Sequence, residues 1–301
     1  MAIIVTGASG NYGRAAVEKL LARVAAEDLI LVTRRPERLA DFAARGCQVR
    51  AGDFDQPKGL VEAFRGGERM LLISATRVGK RVGQHGAAIE AAKAAGVRQV
   101  AYTSFIGVTP ENQAEVVADH RGTEALLRAS GLAWTLLRDS QYADAAVDGI
   151  APAAIRSGRL LSACGEGRIA FVWREDCVDC AVAVLTGEGH ENTVYGITGP
   201  ELWSFPELAA LISEASGQPV PFEPTDEDGL YAFWDSLGVP RQPVDDLVVD
   251  GIPWNSDDMV SFETAVRAGH FAIRTDDVER LTGRRPRPLR ALFEARFGAA
   301  L

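Results

Sequence analysis

Short apolar runs alternate with longer stretches of helical period through the first half of the chain. Ala2–Val5, Leu29–Val32, Gln48–Ala51, Met70–Ile73, Val100–Thr103 and Trp134–Leu137 read as strands. Tyr12–Arg23, Arg38–Ala44, Lys58–Phe64, Gln84–Ala95 and His120–Ala129 read as the helices between them. Strands that are apolar on both sides need cover on both sides. The pattern therefore predicts an α/β fold, a doubly wound parallel sheet of Rossmann type. Right-handed crossovers in such a sheet leave the ligand crevice at the carboxyl ends of the strands.

After Arg138 the rhythm loosens, and Gly196–Pro200, Pro219–Pro224 and Pro240–Pro243 punctuate the chain. Helical period returns at Asp176–Leu185, Pro206–Ser216, Met259–Ala268 and Leu289–Phe297. The expected organisation is a dinucleotide-binding domain over 1–150. Residues 151–301 then complete the sheet edge and build a smaller, mainly helical C-terminal lobe, with a substrate cleft between the two.

Composition narrows the partners. The 301 residues carry a net charge of -9, which opposes nucleic acid and anionic membranes as main partners. No stretch approaches the ~18 apolar residues of a membrane span, and no signal peptide is apparent. The four cysteines form no dense framework, which suits a reducing compartment, so a cytoplasmic location is expected. The acidic pairs Asp245-Asp246 and Asp257-Asp258 read as solvated residues or helix caps, and no metal is expected.

The main chemical signal is Thr6-Gly7-Ala8-Ser9-Gly10-Asn11-Tyr12-Gly13, between the first strand and the first helix. In that position Gly7 permits a tight turn and Gly10 lets backbone approach a pyrophosphate. Gly13 lets the helix pack close to the sheet, and the free amides favour phosphate charge. The second strand ends in Thr33-Arg34-Arg35, where NAD-specific sites place a carboxylate. Guanidiniums there suit a 2′-phosphate, so NADP(H) is favoured and NAD(H) is the alternative. One of the two arginines is also read as leading into the next helix. Asp53 and Phe54 follow the third strand as adenine contacts, with Asp55 as a helix cap ahead of Pro57. Ser74, Ala75 and Thr76 follow the fourth strand and are expected beneath the cofactor, with Thr103 and Ser104 ending the fifth.

These segments, with Tyr102-Thr103-Ser104, His120 to Glu124, Thr135-Leu136-Leu137-Arg138, Glu175-Asp176 and Thr282-Gly283-Arg284-Arg285-Pro286, resemble the NmrA-like branch of atypical short-chain dehydrogenases. Within it they are most similar to the NADPH-dependent quinone and triphenylmethane reductases. The resemblance implies NADP(H) binding and reduction of quinones or related dyes. The branch also holds tailoring enzymes of aromatic polyketides and regulators that sense the dinucleotide without turnover, so hydroxylation of an anthraquinone-like substrate and non-catalytic NAD(P) sensing are the alternative functions. The run Asp139-Ser140-Gln141-Tyr142 departs from the branch's usual pattern after the arginine.

No tyrosine is followed four residues on by lysine, so the tyrosine–lysine dyad of ordinary short-chain dehydrogenases is absent. Hydride transfer to a quinone needs less help, because the product is a phenolate with a pKa near ~10. His120, read as opening a helix, is the candidate proton donor, and Ser104 a candidate catalytic hydroxyl. Phe105, Gln141, Tyr142 and Trp234 are candidate walls for a small, flat aromatic substrate, and Tyr231, Phe233 and Trp254 join Trp234 in an aromatic cluster. Cys177 and Cys180 form a C-x-x-C inside an apolar helical run and read as core. The run from Arg284 to Pro288 reads as a turn before the last helix.

Overall fold

A computed structural model describes residues 1–244, 247–249 and 255–298. Asp245, Asp246 and Trp254 lie outside the described residues. The central sheet is built from β1 (Ile3–Thr6), β2 (Leu29–Thr33), β3 (Gln48–Ala51), β4 (Arg69–Leu72), β5 (Gln99–Phe105), β6 (Ala133–Asp139) and β7 (Thr193–Ile197). Its order is β3-β2-β1-β4-β5-β6-β7 and every pairing is parallel. The order reverses between β1 and β4, and the crevice of a doubly wound sheet opens at that point.

The side-chain period of two sorts each strand between two cores. Ile3, Val5, Leu31, Leu71, Ala101 and Leu137 face α1 (Asn11–Leu21) and the helix Arg174–Thr186. Ile4, Ile30, Val32, Met70, Leu72, Val100, Tyr102 and Leu136 face α3 (Leu60–Phe64), α4 (Arg81–Ala94) and α5 (Glu115–Ala129). A helix of five residues, α2 (Ala40–Ala44), follows a 3₁₀ turn over Pro36–Leu39.

A third core belongs to the second half, where Phe171, Phe205, Leu208, Ile212, Phe271 and Phe293 are buried together. Phe105, at the end of β5, packs against it. The late motifs of the sequence meet in space. Asp176, fully buried, accepts from the Arg287 backbone and side chain at 2.8 Å each and pairs with Arg284 at 2.7 Å. This clamp fixes the turn that begins at Gly283 (φ +74°) and leads into the helix Leu289–Phe297.

Several boundaries differ from the sequence expectation. α4 starts at Arg81, not Gln84, and α5 at Glu115, not His120. β7, the irregular helical stretch 143–157 and the helices Glu227–Ser236 and Asp277–Thr282 carried no clear period. Cys177 and Cys180 are buried within the helix Arg174–Thr186, where burial pushes both thiols up. Among the described residues no helix is long and apolar enough to cross a membrane. None of them gathers three or more metal-ligating side chains.

Candidate active site

The glycine-rich turn leaves β1 and enters α1 as its residue types require. Gly7 sits at φ +59°, a conformation that side chains disfavour. A Cβ on Gly13 would stand 2.5 Å from the Gly7 carbonyl and 2.7 Å from the Ala8 Cα, so only glycine fits. Gly10 is the N-cap of α1, and no side chain caps the helix start. Gly7, Gly10 and Asn11 are exposed, so the first amides of α1 face the open end of the turn. The Ala8 amide donates to the Val32 carbonyl at 3.2 Å, and the Ser9 and Thr33 hydroxyls lie 2.7 Å apart. Tyr12 departs from its expected place. Its side chain is buried and its hydroxyl donates to the Cys177 carbonyl, so only its backbone belongs to the turn.

Arg34 and Arg35 are both exposed at the end of β2, beside this turn. The Arg35 amide donates to Thr33 Oγ1 and the residue precedes the 3₁₀ turn at Pro36. Asp53 Oδ1 accepts from the Asp55 amide at 3.1 Å. Asp55 does not cap the next helix. Its carboxylate accepts from Gln84 Nε2 at 2.9 and 3.0 Å, tying the loop after β3 to α4. Phe54 is half-buried, its ring edge-on to His85.

The loop Ser74-Ala75-Thr76 lies at the reversal of strand order and is held by polar contacts on all sides. Thr103 Oγ1 accepts from the Ser74 amide at 2.8 Å. His85 Nε2 accepts from the Ala75 amide at 2.9 Å. Arg81 Nε donates to the Ala75 carbonyl at 2.6 Å and Arg81 Nη2 to the Thr76 carbonyl at 3.2 Å. Neither Arg81 nor His85 stood out in the sequence. Their signal was an arginine and a histidine one helical turn apart on the face that buries Ala88, Ile89 and Ala92.

His120 lies in the second turn of α5, 3% exposed, with its ring stacked near Phe105. Its Nε2 is 3.3 Å from Arg81 Nη1, and its Nδ1 is 2.7 Å from the Tyr102 hydroxyl. A guanidinium only donates, so Nε2 accepts and Nδ1 carries the proton. Burial, then Arg81, drives the His120 pKa well below its usual value, and burial and Arg81 take His85 to about 3. Both imidazoles are neutral. Burial pushes the Tyr102 hydroxyl upward.

Ser104 faces α5 because it shares the side of β5 that carries Tyr102. Its hydroxyl donates to Glu124 Oε1 at 2.7 Å, and Arg138 grips the same carboxylate at 2.9 and 2.7 Å. Tyr142 is half-buried and donates to Asp139 Oδ2 at 2.9 Å. Burial raises the Asp139 pKa to about 7, with the Tyr142 hydroxyl and Cys177 thiol opposing. Gln141 is half-buried and accepts from the Val172 amide through its carbonyl. Phe105 also contacts the rings of Phe262 and Phe271. Trp234 is half-buried and packs with Phe233 against Ala163, Leu230 and Val260.

Residues 7–170 match a family model described as NAD(P)H-binding. The chain is 37% identical to quinone oxidoreductase 2 of Escherichia coli over 240 residues, 79% of this chain and 82% of that protein. The crystal structure of that type of enzyme with NADPH superposes with a TM-score of 0.88 at 32% identity, covering 98% of this chain and all of the other. A triphenylmethane reductase from Citrobacter sp. superposes with a TM-score of 0.84 at 30% identity, covering 99% of each chain. An NmrA-like family domain-containing oxidoreductase of Aspergillus flavus is 31% identical over 229 residues, 73% of each protein.

Proposed function

We propose, from the premise that the chain belongs to the NmrA-like NAD(P)H-binding oxidoreductases, that it uses NADPH to reduce a quinone-like, including polycyclic, aromatic acceptor. The cofactor is assigned to the crevice between β1 and β4. Its pyrophosphate would lie over Gly7–Gly13 and the first amides of α1, with Arg34 and Arg35 placed for a 2′-phosphate. Bound there, the nicotinamide would supply the hydride.

One observation carries the choice of acceptor. The candidate proton donors around the crevice are committed inside the protein. Ser104 donates to Glu124, Tyr142 to Asp139 and Tyr12 to the Cys177 carbonyl. His120 is neutral and held between Tyr102 and Arg81. A ketone would become a strongly basic alkoxide and needs an acid in place. A quinone becomes an aromatic phenolate that water protonates afterwards, with a pKa near ~10. Phe105 and Tyr142, half-buried at the ends of β5 and β6, are the aromatic walls assigned to a flat ring, with Gln141 beside them. His120 and Ser104 are accordingly assigned to the scaffold and not to proton transfer.

The test is NADPH consumption with a panel of quinones, anthraquinones and simple ketones. Quinone-dependent oxidation well above the blank is expected, with no turnover of ketones. A protein that binds NADPH but consumes none of it, whatever acceptor is added, is a dinucleotide sensor, and the reductase reading fails. His120→Gln is expected to keep kcat within about tenfold, because loss of a true general acid costs ~10²–10⁴. A loss in that larger range with unchanged NADPH affinity would return His120 to the role of proton donor.

A further inference from the structure

The loop after β4 has its backbone held by two side chains of one helix, and no catalytic step above uses them. Arg81 and His85 stand four residues apart on α4, on the same face. Between them they engage both polar groups of the Ala75 peptide environment: its amide donates to His85 Nε2 and its carbonyl accepts from Arg81 Nε. The Thr76 carbonyl accepts from the same guanidinium. Arg81 is 7% exposed and His85 fully buried. Among the described residues Arg81 forms no ion pair within 4 Å; its direct hydrogen bonds go to carbonyls and an imidazole, with the Asp119 and Asp258 carboxylates further out feeling its charge. That is an expensive residue to bury for packing alone.

The protonation pattern is fixed by the donors. The Ala75 amide and the Arg81 guanidinium each point a hydrogen at an Nε2, so both histidines carry their proton on Nδ1. His85 Nδ1 then donates to Thr123 Oγ1 at 2.9 Å, and Thr123 passes its hydrogen to the Asp119 carbonyl on α5. Asp119 Oδ2 in turn accepts from the Gly79 amide, in the same β4–α4 connection. The loop is thus splinted to α4 and α5 through a directional chain of hydrogen bonds. A replacement that cannot accept from the Ala75 amide, or donate to the Ala75 and Thr76 carbonyls, leaves a buried group unmet.

We infer that Arg81 and His85 are positioning residues: they hold the Ala75–Thr76 backbone in the one conformation that seats the nicotinamide half of the cofactor in the crevice. The inference rests on the NADP(H) reading of that crevice. It assigns no contact between either side chain and the cofactor. Their effect passes through the loop.

The test uses the full chain and four variants, His85→Phe, His85→Gln, Arg81→Lys and Arg81→Met. Glutamine places an oxygen near the position of Nε2 and still accepts from the Ala75 amide, whereas phenylalanine cannot. Lysine keeps the charge but cannot reach two carbonyls and His120 at once. Fluorescence of bound NADPH at saturation reports the nicotinamide environment without any turnover, and titration gives Kd. His85→Phe and both Arg81 variants are expected to lose most of the emission change and to weaken NADPH binding about tenfold. His85→Gln is expected to recover the wild-type emission and to bind within about threefold. Where quinone turnover is measurable, kcat should follow the emission change while the quinone KM holds. Folded His85→Phe and Arg81→Lys proteins with wild-type emission and Kd would overturn the inference, even if their Tm falls. If the wild type turns over no quinone but these binding effects appear, the acceptor assignment fails and the positioning role stands.

Discussion

Arg34 is the residue whose role is easiest to isolate, since it is exposed at the end of β2. A guanidinium there discriminates between the two dinucleotides only through the 2′-phosphate. Arg34→Asp is expected to weaken NADPH binding by about tenfold or more and to leave NADH binding within a few-fold, in line with ~1–3 kcal/mol for a charge-assisted contact. Equal losses for both cofactors, measured by titration, would refute the assignment. The glycines beside it were legible because steric exclusion is local. A Cβ at Gly13 meets backbone of its own turn, so the sequence neighbourhood contains the whole reason. His120 was legible only as an imidazole near the right place. What its nitrogens touch depends on Tyr102 and Arg81, 18 and 39 residues away.

At the scale of elements, the start of α5 shows why boundaries were misplaced. Ala114 precedes it and caps nothing, so the sequence shows no N-terminal signal there. The Glu115 amide donates instead to Ser261 Oγ at 3.0 Å, from a helix 146 residues further on. The helix Ser256–Arg267 therefore caps the helix that carries His120. Ser261→Ala is expected to cost about 1 kcal/mol, read as a lower Tm or denaturation midpoint. No change in stability would mean that water replaces the hydroxyl freely. Gly13→Ala should be far more damaging than Gly131→Ala. Gly13 is blocked by backbone at 2.5 Å, while Gly131 has open space around its Cβ and only its φ of +81° to resist substitution. Comparable soluble yield and Tm for the two variants would contradict the packing described for the turn.

Across the whole molecule, buried titratable groups set two opposing pH dependences. His85 is held to about 3 in the folded state and His120 well below its usual value, so the unfolded chain binds protons first as pH falls through ~6.5. Their contribution to stability is complete above ~6.5 and declines towards pH 3. Asp139, Asp258 and Glu263 are raised by burial to about 7. The folded protein keeps their protons between ~4 and 7, while the unfolded chain releases them. Their contribution is therefore greatest at low pH and declines as pH rises to 7. Between pH 4 and 6.5 the two trends offset each other, and below that range the carboxyls no longer compensate for the histidines. His85→Gln should flatten the acid limb by up to about 1.4 kcal/mol per pH unit within its titration window. Asp139→Asn should gain relative to the wild type between pH 5 and pH 8. Denaturation midpoints across pH 4–9 measure both, and parallel curves for variant and wild type would dismiss the buried-group account.

The sequence by itself determined the alternating strands and helices, the parallel sheet, the glycine turn and the arginines after β2, because each rests on period, sterics or charge within a few residues. It also pointed to the NmrA-like branch through motifs spread along the chain. Only the tertiary structure decided which polar groups remain available. Hydrogen bonds inside the molecule claim Ser104, Tyr142 and His120; Tyr142 finds its partner three residues away, but the partners of Ser104 and His120 come from other elements, 18 to 39 residues away. The same folding brought Arg81 and His85 to the loop under the crevice. A side chain's chemistry is written in the sequence, but whether its proton is already given away depends on neighbours that only folding supplies.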